Sequence, residues 1–124
     1  MVSIFIMLGS VMALLAVALG AFGAHALKKR LDNVRLANYQ TGVQYQMYHA
    51  GGLIVTGIVA RLTAPSVFLE WAGWLFFAGI VLFSGSLYLL SLFDRKWWGM
   101  VTPFGGVAFI IAWGFLAIVA SHRI

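Results

Sequence analysis

The chain has 124 residues, of which 63% are hydrophobic and only 9% charged, with a net charge of +5 and no cysteine. Soluble domains run near half apolar and a quarter charged, so this chain lacks the polar surface to cover a water-facing globule. The missing cysteine excludes disulfides, thiolate metal sites and iron–sulfur ligation. Its basic balance does not point to nucleic acid. Six of the eight Lys and Arg residues lie in two short connections beside apolar segments, where anionic headgroups would meet them. No basic stripe interleaves with exposed aromatics. The expected class is an all-α integral membrane protein, with residues 1–124 forming a single transmembrane domain.

A bilayer core takes about 20 apolar residues per helix. Residues 4–24 supply the first span. No Lys or Arg precedes this run and it exceeds a secretory h-region, so it reads as a retained span. Residues 25–40 are polar, with His25, Lys28, Lys29, Arg30, Asp32, Asn33, Arg35 and Asn38. Leu27, Leu31 and Val34 recur at helical spacing there, which predicts a short amphipathic helix on the membrane surface between spans one and two.

The second span is the informative one. Its clean apolar run, residues 50–60, rises only about 16 Å as a helix, whereas spanning needs roughly 30 Å. It must therefore take in polar residues from 41–49, and it is placed at 43–62. The third span covers 67–93, with Trp71 and Trp74 as interfacial aromatics and Glu70 at the positive end of the helix dipole. Asp94, Arg95, Lys96, Trp97 and Trp98 make a tight turn. The fourth span covers 102–120, opening on Thr102 as N-cap and Pro103 as first helical residue. Short loops make this an antiparallel four-helix transmembrane bundle. Lys28, Lys29, Arg30, Arg35, Arg95 and Lys96 fall on one side, and Arg61 and Arg123 on the other with both termini. The positive-inside rule then makes the first side cytoplasmic and puts both termini outside.

Four stretches carry a resemblance: Leu19-Gly20-Ala21-Phe22-Gly23-Ala24-His25-Ala26-Leu27, Thr41-Gly42-Val43-Gln44-Tyr45-Gln46-Met47-Tyr48-His49, Val81-Leu82-Phe83-Ser84-Gly85-Ser86-Leu87-Tyr88 and Thr102-Pro103-Phe104-Gly105-Gly106-Val107. Together they touch all four spans. The chain resembles a bacterial inner-membrane family known as domain of unknown function 423, which is also similar to a small eukaryotic transmembrane protein group. The resemblance implies a four-helix membrane protein without established activity and brings no catalytic residues with it.

Ionisable and polar residues inside a bilayer are functional hypotheses by default. His25, Gln44, Tyr45, Gln46, Tyr48 and His49 are expected to cluster near one interface. Gln40, Gln44 and Tyr48 share a strip at four-residue spacing. The leading reading is interhelical hydrogen bonding. A headgroup or quinone site, in which Gln and His meet a carbonyl or phosphate, is the second. Haem or metal ligation by His25 and His49 is the third. No paired carboxylate or nucleophile stands beside His49, so no enzyme is expected, and no metal or cofactor. Gly20, Gly52, Ser84, Gly85, Ser86, Gly106 and Gly114 are the expected packing positions, where small residues let helix backbones approach. The function read from this is a structural, accessory or lipid-interacting membrane component. A small oligomeric transporter or channel is the first alternative and a quinone- or haem-binding component the second. The expected partners are the lipid bilayer and further copies or other membrane proteins.

Overall fold

The computed structural model describes residues 3–123, leaving aside the side chains of Ala24 and Arg123. Within them the secondary structure is helical throughout: α1 (Ile4–Leu27), α2 (Asn33–Leu62), α3 (Val67–Gly79) and α4 (Gly85–Phe93), a short 3₁₀ segment (Lys96–Met100), and α5 (Thr102–Arg123). A π-helical turn, Ile80–Ser84, joins α3 to α4 without a break, so these form one long helix. Three stretches, Ile4–Leu27, Val67–Phe93 and Lys96–His122, are long and apolar enough to cross a membrane. The fourth helix, α2, has 30 residues and a polar first half.

Local chemistry sets the helix ends. Ser3 accepts from Ile6 N at 3.4 Å and Asp32 from Arg35 N at 2.8 Å. Ser66 accepts from Phe68 N at 3.2 Å. Each supplies a partner to a backbone donor that the first helical turn leaves open. Asp94 ends α4 in the left-handed conformation, φ 54°, a role its short polar side chain tolerates. At the next helix the sequence expectation needs correction. Thr102 is already helical, and its hydroxyl lies 2.5 Å from Ser86 Oγ instead of capping.

A second correction concerns residues 25–40. There is no separate surface helix. α1 runs on to Leu27, a short turn follows, and α2 then continues unbroken from Asn33. The cause is lateral anchoring: Tyr39 is buried, and its hydroxyl donates to Leu19 O at 2.5 Å. Arg35 reaches across to α4, with Nε donating to Ser91 O at 2.7 Å and an Nη to Leu92 O at 3.1 Å. A guanidinium on the open carbonyls of a helix end also meets the negative end of its dipole. The polar turns that looked like a surface helix are the docked base of α2.

Close approach between helices is set by glycines that the small-residue spacing only partly identified. A Cβ at Gly23 would collide with the Tyr39 ring, one at Gly73 with the Phe5 ring, and one at Gly105 with the Phe83 backbone. At Gly9 it would come within 2.7 Å of Ile54, and at Gly57 within 2.6 Å of Ile6. Of the expected packing positions, Gly20 faces Val43 and Gly52 faces Phe76, whereas Gly85 and Gly114 have open space around them. Gly106 reaches Phe83 only at ordinary contact distance, 3.9 Å. The enclosed core joins Phe5, Leu53, Phe76, Ile80, Phe109 and Ala112.

Gly105→Ala should destabilise the protein by about 1–3 kcal/mol, because the new methyl meets backbone that cannot rotate away. Gly114→Ala should leave stability unchanged or raise it, since alanine is the better helix former and nothing lies nearby. Thermal unfolding of both variants in detergent checks the contrast.

Candidate functional site

The buried face of α2 reads Tyr39, Gly42, Gln46, His49, Leu53, Thr56. Its three- and four-residue steps are the stripe of a helix that packs along its whole length. Four of these six positions carry a polar side-chain group, and each of the four makes a hydrogen bond. Gln46 Nε2 donates to Met12 O of α1 at 2.8 Å, and Oε1 accepts from Tyr88 OH of α4 at 2.6 Å. One amide thereby joins three helices. Beside it, Ser84 Oγ donates to Gly42 O at 2.6 Å from the end of the π-turn. The Tyr88 ring lies over Gly42, 5.5 Å from the Tyr39 ring. Thr56 Oγ1 donates to Gly52 O within its own helix at 2.8 Å. Helix carbonyls can accept these additional bonds because each has a second lone pair. Among the described residues, no buried side-chain nitrogen or oxygen lacks a hydrogen-bond partner.

His49 sits one turn further along in an aromatic enclosure. Its ring stacks on Phe109 with centroids 3.4 Å apart and planes 5° from parallel. Phe76, Trp113 and Tyr45 complete the surroundings at 5.9 Å each. Nδ1 donates to Tyr45 O at 2.6 Å, which fixes the ring and puts a proton on Nδ1. That carbonyl lies four residues back in the same helix, so the bond holds the ring without tying α2 to a neighbour. The packing on Phe109 does that.

The six residues expected to cluster therefore divide into three groups. Gln46 and His49 point inward. Gln44, Tyr45 and Tyr48 are exposed on the outer side of α2, with Tyr45 packed on Phe83 and Tyr48. His25 is exposed at the end of α1, where it borders a cavity of about 430 Å³ with Lys28, Lys29, Leu36 and Gln40. Gly23 abuts Tyr39, so His25 is level with the first turns of α2 and roughly 17 Å along the helix axis from His49. Metal–nitrogen bonds are about 2 Å. The two histidines therefore cannot share one metal or haem iron, contrary to the third reading of the sequence, joint ligation. Among the described residues no group of three or more His, Asp or Glu is placed to hold a metal ion.

Tyr88 belongs to this network and was not singled out from the sequence; Ser84 was expected only as a packing position, and Arg35 only as one of the basic residues of its connection. A signal was present for the inward face, the alternating step from residue 39 to 56. Gln40, Gln44 and Tyr48 do form a strip, but it is the outward one.

Apolar helices of spanning length, bound laterally by a buried polar network, define a helical membrane protein. The chain belongs to the family described as "Protein of unknown function (DUF423)", whose profile matches residues 19–106. It is similar to the UPF0382 membrane protein YwdK of Bacillus subtilis, 52% identical over 117 residues covering 94% of this chain and 95% of that one. UPF0382 membrane proteins of Staphylococcus epidermidis and Staphylococcus aureus are 48% and 46% identical, covering 93% and 97% of this chain and 93% and 96% of theirs. No solved structure matches.

Tyr88→Phe should destabilise the protein by about 1–2 kcal/mol by leaving Gln46 Oε1 without its donor. A double-mutant cycle with Gln46→Leu should show a coupling of about 0.6–2 kcal/mol between the two side chains. Chemical unfolding in mixed micelles measures both, and strict additivity would deny the bond an energetic role.

Proposed function

We propose that the chain is a non-enzymatic, multi-pass component of the bacterial cytoplasmic membrane, an antiparallel four-helix bundle with a structural, accessory or lipid-interacting role. The observation carrying this reading is that the buried polar side chains of α2 and α4 are engaged by one another and by main-chain carbonyls. Polar groups so occupied stabilise a bundle, whereas catalytic groups converge on a space that a substrate can enter. The antiparallel arrangement is supported by the contact pairs of α1 with α2. Gly57 lies beside Ile6, Gly9 beside Ile54, and Gly23 beside Tyr39. Arg35 on Ser91 and Leu92 draws the base of α2 to the end of α4, so both basic connections share one end. With Lys28, Lys29, Arg30, Arg95 and Lys96 there, that end is cytoplasmic and both termini are outside.

A homo-oligomer is a second reading, favoured by the outward strip. Gln40 and Gln44 are exposed, and Tyr48 is 58% exposed, on a helix that crosses the bilayer in this account. Glutamine amides both donate and accept, so two copies can satisfy each other's strips. A mass measurement in detergent distinguishes an oligomer from a monomer.

The chain has no cysteine, which makes single-cysteine labelling direct. In intact cells a membrane-impermeant maleimide should label Ala64→Cys at once and Asn33→Cys only after permeabilisation. Equal labelling of both would mean that α2 does not cross, and the reverse pattern would invert the orientation. The purified protein should be colourless and free of quinone; visible absorbance or co-purified quinone would contradict the reading.

A further inference from the structure

The cavity at the end of α1 takes no part in the polar network. It has a volume of about 430 Å³ and is bordered by His25, Lys28, Lys29, Leu36 and Gln40. The apolar run of α1 ends at residue 24, so the cavity lies where hydrocarbon gives way to headgroups. Its chemistry is mixed in a specific way. Lys28 and Lys29 bring two ammonium groups, each a donor only. His25 Nδ1 donates to Ala21 O at 3.1 Å, which leaves Nε2 as the ring nitrogen that can meet a ligand hydroxyl. The Gln40 amide offers both functions, and Leu36 adds an apolar surface.

Two ammonium groups suit a phosphodiester. An imidazole nitrogen and an amide beside them suit hydroxyl groups attached to that phosphate. A quaternary ammonium headgroup would meet two like charges and has no hydrogen to give to His25. We propose that this cavity binds the phosphoglycerol headgroup of an anionic phospholipid. Lys28 and Lys29 hold the phosphate, His25 Nε2 and Gln40 take the glycerol hydroxyls, and Leu36 lies against the lipid's glycerol backbone. This deepens the lipid-interacting reading above and rests on it.

The test uses full-length protein in phosphatidylcholine nanodiscs doped with phosphatidylglycerol or phosphatidic acid, with retained lipid counted by native mass spectrometry. Phosphatidylglycerol should be retained at least roughly tenfold over phosphatidylcholine, and several-fold over phosphatidic acid, which lacks the hydroxyls. Lys28→Gln with Lys29→Gln should weaken retention on the order of 30-fold, the effect of two lysines near an anionic group. Gln40→Leu should erase the preference over phosphatidic acid. Arg95→Gln with Lys96→Gln removes the same charge from the same end and should change nothing. Equal loss in both double variants would reduce the effect to diffuse attraction and overturn the site. Binding of soluble glycerol 3-phosphate as tight as that of the lipid would assign the cavity to a free phosphate ester and overturn the lipid. A co-purified quinone would sink the broader reading while leaving the comparison of the two double variants intact.

Discussion

One side chain, Gln46, carries the constraint on which the rest of the structure depends. A helix that brings an amide into hydrocarbon must bring partners for both its donor and its acceptor, or lose several kcal/mol. Gln46 finds a donor in Tyr88 and an acceptor in Met12 O, and in doing so fixes α1, α2 and α4 against one another. Tyr88 can reach it only because Gly42 has no side chain in the way. Ser84 then uses the Gly42 carbonyl, from a π-turn that sets its hydroxyl toward α2. These features stand or fall together.

The same constraint explains why α2 is long and starts early. An apolar stretch of residues 50–60 could not cross alone. In the proposed four-crossing bundle, extending it toward the N-terminus adds polar residues, which are tolerable inside because each inward one is bonded. At the base, Asp32 caps the helix and Arg35 closes the open end of α4. Polar chemistry thus does two jobs here. Inside, it specifies which helices meet, and at the rim it joins their ends. The basic cavity around His25 lies outside both.

How legible was this in the sequence? The apolar spans were, since residues 4–24, 67–93 and 102–120 are long apolar runs set off by polar and charged residues that act locally. The polar head of α2 was also legible as a stretch of helix rich in bonding side chains. Its interior was not, because Gln46 is bonded to residues 34 and 42 positions away, one of them through a backbone carbonyl that no side-chain pattern marks. His25 and His49 looked close because polarity near an interface hides depth along a helix. Small residues misled in a similar way. Gly23, Gly73 and Gly105 are among the tight contacts, while Gly114 is open, and spacing shows a face but not the neighbour it meets. The π-turn left no trace in the apolar pattern.

In the proposed bundle α2 is a single crossing helix whose inward polar side chains are bonded within the molecule. Depth profiling tests it most directly, with spin labels placed singly along the exposed side of α2 at positions 37, 40, 44, 48, 51, 55, 58 and 62. The relative accessibility to oxygen and to a polar relaxation agent gives the depth of each. The account predicts a continuous descent from position 37 to a maximum near 48–51, then a return to the opposite surface by 62. A plateau at headgroup depth from 37 through 48 would place that half on the membrane surface and contradict it.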